Sequence, residues 1–403
     1  MNQRYYSLDV FRGMTVALMI LVNTPGSWSY IYPPLKHAEW HGLTATDLVF
    51  PFFLFAVGNA MAFVMPKFYA SADSFFWKKV IKRTILIFII GLVLNWLPFI
   101  KWQVDDVTKI NNLVWKPWEY LDAKNNVQGI RLLGVLQRIA LCYFFASVIV
   151  YYCKRNIAII IGITLLLLYW AICYFGNPTD PYSITGWVGT SIDKYVIGSP
   201  HLYKGEEIKG IKYVFDPEGL LSTIAAIVQV IFGYVIGKYI KDNGSGRQTI
   251  EKLLIAGIAL TIIGVLWNTL FPINKKIWTS SYTVVTTGMG TFIIGTFIYL
   301  FELVKVPKIF GKFFDAFGKN PLFIFVLSGA LPRVLNLILI PNGFTKDAVQ
   351  KFTSPLGWIY ENVFKNISTS DLRLGSFLYA ITMILFYWLI AYLMDKKKIY
   401  VKV

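Results

Sequence analysis

Two of the three histidines in this chain, His37 and His41, share one short polar segment that runs from Lys36 to Asp47. Apolar runs lie on both sides of it. An imidazole with a pKa near 6.5 can take a proton at neutral pH, so His37 reads as a general base or a nucleophile, or else as a surface ring without a role. Asp47 also has two readings. Thr44-Ala45-Thr46-Asp47 has the spacing of a helix capping box, and a carboxylate suits the positive end of a helix dipole. The same carboxylate can orient a neighbouring imidazole, and the two roles are compatible. Asn23 closes the preceding apolar run just before Pro25 and Gly26, either as a plain polar helix end or as a donor to a developing oxyanion. Metal binding by the His37/His41 pair is not expected. Pro33, Pro34 and Gly42 argue against a regular helix there, no cysteine or third histidine is near, and His201 is remote.

The elements that must hold these residues are set by composition. Hydrophobic residues make up 56 % of 403 and charged residues 15 %, where a soluble domain carries about 25 % charged. Mean hydropathy is +0.55. That excess of apolar surface predicts an all-α integral membrane protein, a single domain over residues 1–403. Roughly 20 apolar residues cross a bilayer. Ten such runs fall near 7–25, 46–65, 80–98, 132–152, 157–175, 219–238, 253–271, 282–303, 320–340 and 374–394. The stretch 310–317 can add a short or re-entrant helix. The first run lacks a basic n-region of any size and a small-residue cleavage site, so it is expected to remain as a helix.

The net charge of +17 does not indicate nucleic acid, because there is no soluble basic domain to bind it. Instead, the basic residues flank every second connection. Lys67, Lys78, Lys79, Lys82 and Arg83 mark one, Lys154 and Arg155 the next, then Lys238, Lys241 and Arg247, then Lys305, Lys308 and Lys312, and finally Lys396 to Lys398. The positive-inside bias puts these, with both termini, in the cytoplasm and the histidine segment outside. The outer connections are longer and rich in tryptophan, as an aromatic belt requires. Cys142, Cys153 and Cys173 lie in or beside apolar runs, with neither disulfide nor metal spacing.

Ionisable side chains within a membrane cost a few kcal/mol or more, which marks them as functional candidates. Asp9 and Arg12 share a face of the first run and can simply pair. Arg138 lies inside the fourth run and needs an anionic partner, a carboxylate or a phosphorylated ligand. Arg333 lies inside the ninth.

Several motifs resemble the heparan-alpha-glucosaminide N-acetyltransferase family, within a wider superfamily of transmembrane acyltransferases. They are Ser7-Leu8-Asp9-Val10-Phe11-Arg12-Gly13-Met14, Leu21-Val22-Asn23, His37 to Thr44 and Asp47 to Phe53. Gly134 to Ile139, Asp216 to Thr223 and Pro272 to Ser281 continue the likeness in order. The resemblance implies transfer of an acetyl group from cytosolic acetyl-CoA to a glucosamine-type amine on the far side. It implies His37 as active-site histidine, with Asn23 and Asp47 as its partners. His41 stands where the animal enzyme has asparagine, so it receives no catalytic role. Arg12, Lys82, Arg83, Arg138 and Lys319 are the expected acetyl-CoA contacts. Trp40, Asp216, Glu218, Asn274 and Trp278 are the expected acceptor contacts.

The animal enzyme carries a large luminal N-terminal domain before these motifs. The present chain reaches them almost at once, which points to a bacterial short form in the plasma membrane, acting on an amino sugar or a cell-envelope glycan. An O-acyltransferase of envelope polysaccharide and a secondary transporter are the alternative functions, and a homodimer is compatible with either enzyme. Transporters of this size commonly show internal repeats, and none is visible.

Overall fold

The computed structural model describes residues 5–106, 109–122, 125–344 and 350–401. Its helices are α1 (Tyr6–Asn23), α2 (Val49–Tyr69), α3 (Asp73–Trp96), α4 (Val135–Tyr152), α5 (Arg155–Gly176), α6 (Val188–Val196), α7 (Leu220–Asn243), α8 (Arg247–Trp267), α9 (Ser280–Ile298), α10 (Ile309–Lys319), α11 (Pro321–Leu335), α12 (Pro355–Ile359) and α13 (Leu372–Lys396). Each of the ten expected runs is a helix. Eight are long and apolar enough to cross a membrane once the turn before α2 and the extension of α9 to Leu303 are included. The other two depart for physical reasons. The helix α3 starts at Asp73, earlier than its apolar part, because the basic turn with Lys78, Lys79, Lys82 and Arg83 is itself helical. The helix α11 is 15 residues long and stops at Leu335, with Pro332 in its last turn. Proline leaves no N–H for the helix ladder there. The short helix expected at 310–317 is α10.

Burial sorts the helices into layers. In their most apolar windows 72 % of α7 is buried, but only 28 % of α5 and of α8. The outer pair presents Ile160, Leu167, Ile258 and Val265 to its surroundings, as lipid-facing helices do. At the centre α2 and α7 approach closely through small residues. A methyl group on Gly58 would overlap the Val230 carbonyl, and one on Gly233 would overlap the Phe55 carbonyl. The spacing of Gly233 and Gly237 is the small-xxx-small pattern of membrane helix pairs. Likewise Gly13 of α1 and Gly318 of α10 leave no room for a side chain. That contact holds Arg12 beside Lys319.

The helices alternate in direction. Tyr6 meets Lys308, Lys241 meets Ala62 and Tyr69 meets Val150 at one end, here the basic end. The connections at the opposite end carry four two-stranded antiparallel hairpins among the described residues. These are β1 (Ile100–Asp106) with β2 (Lys109–Trp115), β3 (Glu119–Leu121) with β4 (Val127–Gly129), β5 (Glu206–Ile208) with β6 (Ile211–Tyr213), and β7 (Ile340–Phe344) with β8 (Gln350–Thr353). In sequence all of these stretches look like plain loops.

Candidate active site

The histidine segment is pinned in place before α2 begins. The Gly42 N–H donates to the Ile273 carbonyl at 2.8 Å, with Gly42 at φ +116°, a conformation open to glycine. The Trp40 indole donates to the Tyr182 carbonyl at 2.8 Å and packs edge-on against Phe215. Lys276 Nζ donates to the Glu39 carbonyl at 2.7 Å. The segment therefore rests on the connection between α8 and α9.

Asp47 is buried and does two jobs at once. Its Oδ2 accepts the Thr44 N–H at 3.1 Å, which is the capping-box bond, and the Ala38 N–H at 3.1 Å. Its Oδ1 lies 2.6 Å from Nδ1 of His37. An ionised carboxylate only accepts, so Nδ1 carries the hydrogen and Nε2 keeps its lone pair, 3.5 Å from Lys275 Nζ. Lys275 Nζ approaches the same ring, 3.2 Å from Nδ1, and stands 3.7 Å from Asp47 Oδ1. One side of the ring remains open. Close packing nevertheless lowers the His37 pKa, and the Lys275 charge lowers it further. The bond to Asp47 pulls the other way.

Asn23 and His37 line one cavity of about 270 Å³, together with Glu218, Trp278, Phe53 and Phe325. Asn23 is exposed at the end of α1. The remaining acceptor candidates divide. Glu218 lines the cavity and pairs with Arg131, whose guanidinium also makes a two-pronged contact with Asp216, Nε at 2.9 Å and Nη2 at 2.5 Å. These two carboxylates raise the Arg131 pKa against its burial. Asp216 is buried behind this pair and lies outside the cavity lining. Trp278 forms part of the wall and packs edge-on against Phe50 and Tyr282. Asn274 is fully buried, and its Oδ1 accepts the N–H of Lys276 and of Ile277. It shapes the turn that carries Lys275. Trp40 anchors the segment from outside the cavity lining.

At the basic end a second cavity of about 730 Å³ is lined by Arg12, Arg83, Lys319, Asn59, Ala56 and Leu322, among others. That volume falls within the usual range for small-molecule sites, about 300–1,000 Å³. Arg12 pairs with Asp9, as their spacing predicts. Lys319 pairs with Asp315 at 2.6 Å and Asp395 at 2.8 Å. Arg83 is different. Its guanidinium lies over the Tyr143 ring at 4.7 Å, and it forms no ion pair among the described residues. The buried Asn59 Oδ1 also has no partner among them. Two expected acetyl-CoA contacts are elsewhere. Lys82 is exposed outside this lining. Arg138 sits at the opposite end, 5.3 Å from the Trp278 ring, where Nη2 donates to the Gly219 carbonyl and to Ser222.

The two cavities almost meet. On α2, Phe53 lines one and Ala56 the other. On α11, Phe325 lines one and Leu322 the other. Three residues of helix are about 4.5 Å of rise, so one turn separates them. The Phe53 and Phe325 rings, both lining the histidine cavity, meet edge to face 6.3 Å apart.

Three residues lining these cavities, Lys275, Arg131 and Asn59, do not stand out in the sequence. Lys275 and Arg131 look like ordinary loop cations, and their partners are remote in sequence. Asn59 leaves a fainter trace, as a lone amide within an apolar run.

Residues 4–102 match a family described as a domain of unknown function (DUF5009). The human heparan-alpha-glucosaminide N-acetyltransferase is 28 % identical over an alignment covering 80 % of this chain and 52 % of that protein. The mouse protein of the same name is 27 % identical over 80 % of this chain and 53 % of its own length. The chain thus spans about half the length of these relatives. The likeness read from the motifs between Ser7 and Ser281 is borne out: over four fifths of its length this chain is similar to the heparan-alpha-glucosaminide N-acetyltransferases.

Proposed function

We propose that this protein is a membrane-embedded acetyltransferase. It takes an acetyl group from acetyl-CoA at the basic, cytosolic end and transfers it to the amine of a glucosamine-type sugar at the other end. The observation that carries this reading is the pair of cavities one helical turn apart, cationic at one end and bearing the His37–Asp47 pair at the other. A transferase working across a bilayer needs both a donor site and an acceptor site, with a short path between them.

At the donor site, the uncompensated Arg83 guanidinium is suited to a phosphate, and the orphaned Asn59 Oδ1 to an amide N–H. At the acceptor site, Nε2 of His37 takes the proton from the attacking amine. Asp47 fixes the ring and its tautomer. Asn23 donates to the carbonyl oxygen as negative charge develops on it. Glu218 faces the acceptor, restrained by Arg131.

Purified protein with labelled acetyl-CoA and a panel of amino sugars tests the reading. Transfer to an amino sugar is expected. His37→Ala should reduce it by roughly 10²–10⁴-fold, the usual contribution of a general base, while coenzyme A binding persists. Full activity in that variant refutes the assignment. Solute uptake without acetyl-CoA consumption would favour a transporter instead.

A further inference from the structure

Lys275 stands closest to His37 of any cation in the cavity, yet the motifs assign it nothing. We propose that Lys275 is a positioning residue for the transfer. Its ammonium, 3.2 Å from His37 Nδ1 and 3.5 Å from Nε2, keeps the ring neutral, with its hydrogen on Nδ1 and Nε2 unprotonated. The inference rests on the proposed role of His37 as base.

The geometry works through exclusion. An ammonium has donors only, and a carboxylate acceptors only. With Nδ1–H committed to Asp47, Lys275 finds its counter-charge in Asp47 Oδ1 at 3.7 Å, and the ring acceptor within its reach is Nε2 at 3.5 Å. A second proton on Nε2 would place an imidazolium against the ammonium, and like charges at this range disfavour that form. The other charged neighbours act in both directions. Asp47 favours the imidazolium, while Lys276 opposes it. Lys276 is itself paired with Glu206, and Arg131 with Asp216 and Glu218. Lys36, on the same segment, is exposed. Burial lowers the pKa of Lys275, whereas Asp47 and Glu218 support its charge.

In the reaction the acceptor nitrogen bonds to the thioester carbon, and the carbonyl π pair moves onto oxygen. The nitrogen's proton passes to Nε2. The pair then returns, the C–S bond breaks with its electrons on sulfur, and the sulfur takes the proton from Nε2. The products are the amide and free coenzyme A thiol. Lys275 contributes by keeping Nε2 unprotonated at the start.

The test is the titration of His37 in full-length protein, read without turnover. The pH dependence of diethylpyrocarbonate modification, assigned to each ring by mass spectrometry, gives the midpoint. Lys275→Met should raise the His37 midpoint by about one pH unit, a tenfold loss of neutral ring below it, and leave His41 unmoved. The acid limb of kcat/KM should move up with it, and Lys275→Arg should restore both. Lys275→Gln keeps a polar end in the turn and serves where the methionine variant does not fold. An unmoved midpoint in a folded neutral variant overturns the proposal. If the wild type transfers no acetyl group, the acyl-transfer reading fails separately and the titration still decides the role of Lys275.

Discussion

Asp47 shows how one side chain can satisfy two demands that look like rivals in sequence. Its Oδ2 caps the turn before α2, and its Oδ1 holds His37. The two jobs separate on substitution. Asp47→Asn keeps an oxygen for the Thr44 N–H but loses the charge, so the turnover rate should fall about 10²-fold or more with little change in unfolding temperature. Asp47→Ala should lose the same activity and about a further 1 kcal/mol of stability, the worth of a helix cap. Rates and thermal melts of the two variants check this. The pH dependence follows from the ring. The His37 pKa is lowered, so the base form persists below its ordinary value, and activity should decline only as pH falls below about 6.5. A decline that starts above neutrality in a pH–rate profile would contradict this. His37, Asp47 and Asn23 are legible in the sequence because they lie within one stretch of the chain, where residue type and spacing can be read together. Lys275 is 238 residues from His37. Nothing distinguishes it from the other lysines until the fold brings it back.

Long apolar runs announce helices, and all ten are legible for that reason, eight of them long and apolar enough to cross a membrane. Their ends are not, because a helix continues into polar sequence as long as its backbone bonds are made, as α3 does from Asp73. The hairpins are invisible for the opposite reason. Strands of three residues, such as β3 and β5, are too short to show an alternating pattern. What fixes the candidate site is the close contact of α2 with α7, since α2 carries the Asp47 turn at its start and Phe53 within it. Gly233 makes that contact possible. Gly233→Leu must drive the two helices apart and should cost about 1–3 kcal/mol, the range for overpacked cores, while lowering turnover. Gly246→Ala, in the open turn before α8, should change both by little. Thermal unfolding in detergent and initial rates compare them. Equal stability in the two variants would show that the α2–α7 contact does not govern the site.

The separation of the two cavities matters only if they open to opposite sides of the membrane. The fold gathers the basic connections at one end, beside Arg83 and Lys319, and puts His37 at the other. Lys and Arg stay on the cytosolic side of short connections, so the donor cavity should face acetyl-CoA where it is made and His37 should face outward. That arrangement lets one thin wall, built around Phe53 and Phe325, do the work of a transport step. Under the proposed transfer, the acetyl group would cross a single helical turn while the coenzyme stays inside. Labelling in intact cells tests the sidedness. Cys153, the least buried of the three cysteines, is first replaced by serine so that introduced thiols stand out. A membrane-impermeant maleimide should then label Lys36→Cys, one residue before His37, in intact cells. Lys312→Cys, exposed at the basic end, should react only after the membrane is opened. The reverse pattern would put His37 in the cytosol. The two cavities would then open the wrong way round for a transfer that moves acetyl groups outward.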